Sequence, residues 1–208
     1  MTTEAARDEI VRWCRYLSAR SLSPGTSGNV SVRLAEGFVC TPTGLGLDGL
    51  EPKELAVIDA SGNPVGERPR PTKEWRLHLA LYEVRPDVEA VVHLHSTFAV
   101  AASCRSDVSE DDVIPPLTSY YAMHVDRLPL VRWHPPGDPA LARALRERAP
   151  ESATLLLANH GPVVGAASLE RAAYIAEEIE EAARIWLSLG NFPRRLLSAD
   201  QISRLRRH

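Results

Sequence analysis

The sequence predicts an α/β layered fold, a single domain over residues 1–208 in which a central, largely antiparallel β-sheet is flanked by helices. Three observations lead there. Short strand patterns and amphipathic helix patterns mix along the whole chain. The first two strands are separated by a tight glycine-containing turn, as hairpin partners are. Repeated βαβ units, the mark of a parallel sheet, are few. With 208 residues, 44% hydrophobic and 25% charged, the chain can bury a sizeable core.

Residues 4–19 read as an amphipathic helix, because Ile10, Trp13, Cys14 and Leu17 recur at helical spacing among charged residues. The turn-rich SLSPGTSGN follows, then strands at NVSVRL and GFVCTP and another at LAVID, residues 55–59. Pro71 and Thr72 open a helix that runs to about Val84, with Leu77, Ala80, Leu81 and Val84 on one stripe, and Arg85-Pro86 stops it. A strand carrying VVHLHS starts near Val88, and STFAVAASC forms a short helix. Residues 107–136 read as loop with two strands. Asp138, with Pro139 behind it, caps a helix through Arg148. TLLLA, residues 154–158, is an apolar strand; Asn159-His160-Gly161-Pro162 interrupts it and VVGA resumes the β pattern. Ser168 caps a long helix ended by Gly190 and Pro193, and Ser198-x-x-Gln201 is the capping box of a last short helix.

Charge and composition exclude some functions. A formal net charge of −3 leaves no basic footprint for nucleic acid. No stretch approaches the ~20 apolar residues of a membrane span, and the charged N-terminal segment is unlike a signal peptide. Cys14, Cys40 and Cys104 are odd in number and far apart, and read as small buried hydrophobes of a cytoplasmic protein.

The chemistry-bearing residues form two groups. In a strand, His93 and His95 share one face, so the pair is either a metal pincer or two satisfied core histidines. His160 sits where a turn can push an imidazole into a cleft, and Glu74 opens the helix before the His strand; Glu74 is either a fourth ligand or a carboxylate at a helix dipole. The second group is GTSGNVS (25–31), TPTGLG (41–46) and Thr72-Lys73, which are either ordinary turns or a set of N–H groups, hydroxyl and cation suited to a phosphate monoester. His78 can pair with Glu74 on the helix; His124 and His134 fall in loops, and His208 is terminal.

Taken together, Gly28-Asn29, Thr43-Gly44, Pro71-x-x-Glu74-Trp75-x-x-His78, His93-x-His95-Ser96 and Asn159-His160-Gly161 resemble the zinc-dependent class II aldolase/adducin family, over about residues 5–202. The resemblance implies Zn²⁺, or another divalent metal, held by Glu74, His93, His95 and His160, with Glu74 also the acid/base. It implies a phosphate pocket including Gly28, Asn29, Thr43, Gly44, Thr72 and Lys73. It further implies a homotetramer with active sites between subunits, where Tyr120 or Tyr121 is either a proton donor or a packing aromatic. The Thr72-Lys73 pair departs from the two serines of the fuculose-phosphate aldolases. With IPPLTSYYAMHVDRLPLVRWHPPGDPALA and LLLANHGPVV, it resembles the 3-oxo-tetronate 4-phosphate decarboxylase subgroup, although Trp75 is nearer the aldolase form. The implied activity is cleavage of a C–C bond in a small phosphorylated sugar or sugar acid through a metal-stabilised enediolate. An aldolase, a 4-epimerase and a non-catalytic adducin-like protein stand as alternatives.

Overall fold

Alternation of side chains along short apolar strands builds the centre of the molecule, a computed structural model that describes residues 1–67 and 69–207. His208 lies outside them. The strands are β1 (Asn29–Leu34), β2 (Gly37–Cys40), β3 (Ala56–Ile58), β4 (Ala90–His93), β5 (Leu130–Val131), β6 (Thr154–Leu157) and β7 (Gly161–Ala166). They form one sheet in the order β3-β2-β1-β4-β7-β6-β5, antiparallel except for the pair β5–β6.

The helices α1 (Thr3–Ala19), α2 (Trp75–Val84), α3 (Thr97–Ser103), α4 (Ser119–His124), α5 (Pro139–Arg148), α6 (Leu169–Leu189) and α7 (Ala199–Leu205) pack around that sheet. Val30, Val32, Val92, Leu94, Leu156 and Val164 face one apolar cluster, with Ile10 of α1 and Ile175 and Ile179 of α6. Val91, Leu155, Leu157 and Val163 face a second, with Leu77 and Leu81 of α2 and Leu141 and Leu145 of α5. The period-two alternation therefore buries both faces. Side-chain caps at Asp138, Ser168 and Ser198 accept the first free N–H groups of α5, α6 and α7, as expected from their residue types.

Four expectations need correction. The helix read from Pro71 begins at Trp75, because Thr72 N–H bonds to the Thr41 carbonyl and Pro71 bridges Pro42, which holds that segment extended. The His-bearing strand ends at His93, so His95 lies beyond it, on the way into α3. Residues 107–136 hold one short strand and a helix, α4, whose start is capped by Thr118 and whose end is His124. Cys14 and Cys40 are buried, but Cys104 is exposed at the C-terminal end of α3.

Candidate metal centre

The topology concentrates polar side chains on one patch of the α2-side face of the sheet. Asn29 of β1 is the register partner of His93 on β4, and His93 pairs on its other side with Val163 of β7. Strand β7 starts directly after His160, so the turn before it delivers a third group to the same patch. Glu74, the residue preceding α2, comes in from above.

Glu74, His93, His95 and His160 each offer one ligand atom, and these atoms all lie within 4.8 Å of one another. His93 Nε2 is 3.2 Å from His95 Nε2 and 3.3 Å from His160 Nε2. It is 3.3 Å from Glu74 Oε2, while Glu74 Oε1 is 3.4 Å from His160 Nε2.

The surroundings fix these atoms. His93 Nδ1 donates to the Pro162 carbonyl at 2.8 Å, which turns Nε2 toward the cluster. His95 is held from behind: its neighbour Ser96 is the N-cap of α3 but makes no side-chain cap bond, and Glu180 of α6 instead accepts the N–H groups of Phe98 and Ala99 at 2.9 and 2.8 Å. His160 depends on its turn. Asn159 adopts φ 55°, a left-handed conformation that asparagine tolerates. Gly161, at φ 151°, brings the chain so close to β4 that an added Cβ would overlap the Leu94 carbonyl oxygen and sit 3.4 Å from His95 Cα. Gly161→Ala is expected to push the His160 turn away from His95 and weaken metal binding about 10–100-fold; a zinc titration against a competing chelator measures it.

The charge state also suits a cation. Burial works to raise the Glu74 pKa, but the charge and hydrogen bond of His93, then His160 and Asn29, outweigh it and hold the carboxyl well below its usual range. Burial likewise works to lower His93, yet Glu74 beside it raises the imidazole overall. Burial and the neighbouring imidazoles push His95 down to about 3 and His160 to about 4. Three ring nitrogens thus converge on one ionised carboxylate, whose Oε1 is buried without a hydrogen-bond partner. Three imidazoles and a carboxylate are a donor set that a divalent ion of borderline softness satisfies.

The phosphate-site candidates are brought together as well. Thr43 N–H bonds to the Arg70 carbonyl, which lays the Thr43-Gly44 loop beside Thr72-Lys73. The two glycine loops meet where Gly46 closes against the Gly25 carbonyl. Thr72 is buried and its hydroxyl accepts Glu74 N–H; Lys73 is exposed. Gly28, at φ 79°, packs against Ser23 and the His93 carbonyl, a position where a Cβ does not fit.

The tyrosines part company. Tyr121 is buried in an apolar cluster with an unpartnered hydroxyl, and Tyr120 is 65% exposed on α4. Among the described residues neither hydroxyl bonds to the cluster of Glu74 and the histidines.

Sequence reasoning missed two groups of residues. A cavity of about 480 Å³ opens onto His95 and His160 and is walled by Trp133, Pro136, Thr97, Val100 and Asn159; Trp133 and Pro136 lie in the IPPLTSYYAMHVDRLPLVRWHPPGDPALA stretch, which by itself singles out neither as a cavity wall. His78, expected to pair with Glu74, instead bonds to Asn29 Oδ1 at 2.6 Å and Ser31 Oγ at 2.7 Å. The spacing Asn29-x-Ser31 against Glu74-x₃-His78 was the available sign.

Comparison with known proteins adds a framework. Residues 8–187 match the Class II Aldolase and Adducin N-terminal domain family. A 3-oxo-tetronate 4-phosphate decarboxylase of Escherichia coli strain K12 is 41% identical over 204 residues, covering 98% of this chain and 96% of that protein. An L-fuculose phosphate aldolase of Haemophilus influenzae is 32% identical over 182 residues, covering 87% and 82% respectively. The crystal structure of YgbL from Escherichia coli superposes with a TM-score of 0.93 at 39% identity, covering 98% of this chain and 99% of the other.

Proposed function

Because the chain belongs to the class II aldolase and adducin family, we propose that it is a zinc-dependent carbon–carbon lyase, a 3-oxo-tetronate 4-phosphate decarboxylase that yields dihydroxyacetone phosphate and CO₂. The observation that carries this reading is 41% identity to such a decarboxylase over 98% of the chain, joined to a His₃Glu cluster beside a Thr-Lys pair. Glu74, His93, His95 and His160 hold the ion, which when bound supplies Lewis acidity toward the substrate's carbonyl oxygen.

The other residues act on the substrate directly. The backbone at Gly28 and the Thr43-Gly44 and Thr72-Lys73 segments hold the phosphate, with Lys73 as the cation. Loss of CO₂ from a β-keto acid leaves a carbon that must gain one proton, and no base is needed to take a proton from a departing aldehyde. Glu74 takes up a proton from solvent at Oε1, the carboxylate oxygen that no hydrogen bond occupies, and passes it to that carbon. The protein works as a homotetramer with sites between subunits, in which Tyr120, exposed on α4, is the tyrosine left free to act across a boundary. No helix among the described residues is long and apolar enough to cross a membrane. The protein is a single domain, and the buried free thiols of Cys14 and Cys40 support a reducing, cytoplasmic setting for it.

The test is to incubate zinc-loaded protein with 3-oxo-tetronate 4-phosphate and with fuculose 1-phosphate, following CO₂ and dihydroxyacetone phosphate together. Equimolar release of both from the first substrate is expected. Dihydroxyacetone phosphate without CO₂, from the second substrate only, would establish the aldolase reading that the 32% identical relative favours.

A further inference from the structure

We propose that a buried chain of hydrogen bonds, Tyr82–Ser31–His78–Asn29, positions the Glu74 carboxylate for proton transfer, which makes Asn29 and His78 positioning residues of the reaction. The inference rests on Glu74 as the acid/base of the proposed function; it gives Asn29 and Ser31 of the GTSGNVS loop a role toward Glu74 and adds His78 and Tyr82, which the ligand set and phosphate pocket leave out.

The chain follows from two matched repeats. On α2 and its N-cap, Glu74, His78 and Tyr82 recur every fourth residue, an axial step of about 6 Å. On β1, Asn29 and Ser31 recur every second residue, a step of about 6.7 Å. The steps are close enough for the strand side chains to fit between the helix side chains, in the order Glu74, Asn29, His78, Ser31, Tyr82. The contacts are continuous: Asn29 Nδ2 to Glu74 Oε2 at 3.0 Å, His78 Nε2 to Asn29 Oδ1 at 2.6 Å, Ser31 Oγ to His78 Nδ1 at 2.7 Å, and Tyr82 hydroxyl to Ser31 Oγ at 2.8 Å. All five residues are buried.

Chemistry fixes the direction of every proton in it. An ionised carboxylate only accepts, so the Asn29 NH₂ faces Glu74 and its amide oxygen faces His78. That oxygen also only accepts, so His78 carries its proton on Nε2. The ring is neutral, since burial pushes its pKa down to about 3, and Nδ1 therefore accepts from the Ser31 hydroxyl. The Ser31 oxygen in turn accepts from Tyr82, which burial keeps protonated. Each link has one arrangement, and the last one ties Glu74 Oε2 in place while Oε1 stays free.

Two measurements test the proposal. Nitrogen-edited NMR of the imidazoles, on metal-free and zinc-loaded protein, should show His78 as a single neutral tautomer protonated at Nε2. A ring protonated at Nδ1, or doubly protonated, overturns the proposal whatever the enzyme's substrate. In kinetics with saturating zinc, His78→Leu should lower kcat about 10–100-fold with KM unchanged, and His78→Gln, which keeps an N–H where Nε2 stands, should recover most of it. Equal impairment of the two, or wild-type kcat in a folded His78→Leu, overturns it. If His78→Leu fails to fold, Ser31→Ala takes its place: it should mix the His78 tautomers and lower kcat, and an unchanged tautomer with unchanged kcat counts against the chain. Full turnover in Glu74→Gln would sink the acid/base reading instead, a result separate from the His78 tautomer.

Discussion

Glu74→Gln is expected to keep its metal and lose turnover by about 10²–10⁴-fold, the usual contribution of a positioned proton-transfer group. The two halves of that result come from different atoms. Three imidazole nitrogens, those of His95 and His160 lying 3.2 and 3.3 Å from His93 Nε2, remain to hold the ion, and the amide of glutamine can still pair with Asn29 through its oxygen. What it cannot do at neutral pH is take up and release a proton where Glu74 Oε1 stands. Metal content per chain, measured beside single-turnover rates, separates the two halves. Wild-type turnover in this variant would remove Glu74 from the chemistry and leave it a ligand at most.

Chelation should abolish activity and lower the thermal midpoint, with both restored by zinc. A ligand that binds only the native state, at 100 times its dissociation constant, stabilises by about 2.7 kcal/mol. For a chain of this size that is about 5–10 °C in the midpoint. The effect should be specific to the cluster: His93→Ala removes the central nitrogen, from which both other imidazoles and Glu74 Oε2 lie at 3.2–3.3 Å, and should make the midpoint insensitive to zinc. Calorimetry with and without chelator on both proteins checks it. Activity that survives exhaustive chelation would exclude a metal-dependent lyase.

Much of this architecture was readable from local pattern. The caps at Asp138, Ser168 and Ser198 and the apolar stripes of α1 and α6 are short-range signals, and the structure follows them. The four residues read as a ligand set are brought within one small volume. What failed was long-range. The start of α2 moved to Trp75 because Thr72 is drawn into pairing with Thr41, thirty-one positions earlier. The placement of β1 beside β4, which sets Asn29 opposite His93, is a crossover that no local pattern encodes. His78 shows the limit most plainly. At i+4 from Glu74 the helix rule predicts a direct pair, but Glu74 is the N-cap, and the strand slots Asn29 between the two. A side chain's nearest partner is set by the register of one element on another, which only the assembled fold supplies.

The two outermost strands, β3 and β5, have three and two residues. Each is also covered: Ile58 bridges to Pro64 with Val65 N–H on the Val57 carbonyl, and Leu130 N–H goes to the Glu110 carbonyl. The sheet therefore ends in stubs, one of them screened by a proline-bearing segment, and among the described residues neither outer strand offers a long open edge on which another strand could be added. Such edges disfavour growth of the sheet from copy to copy.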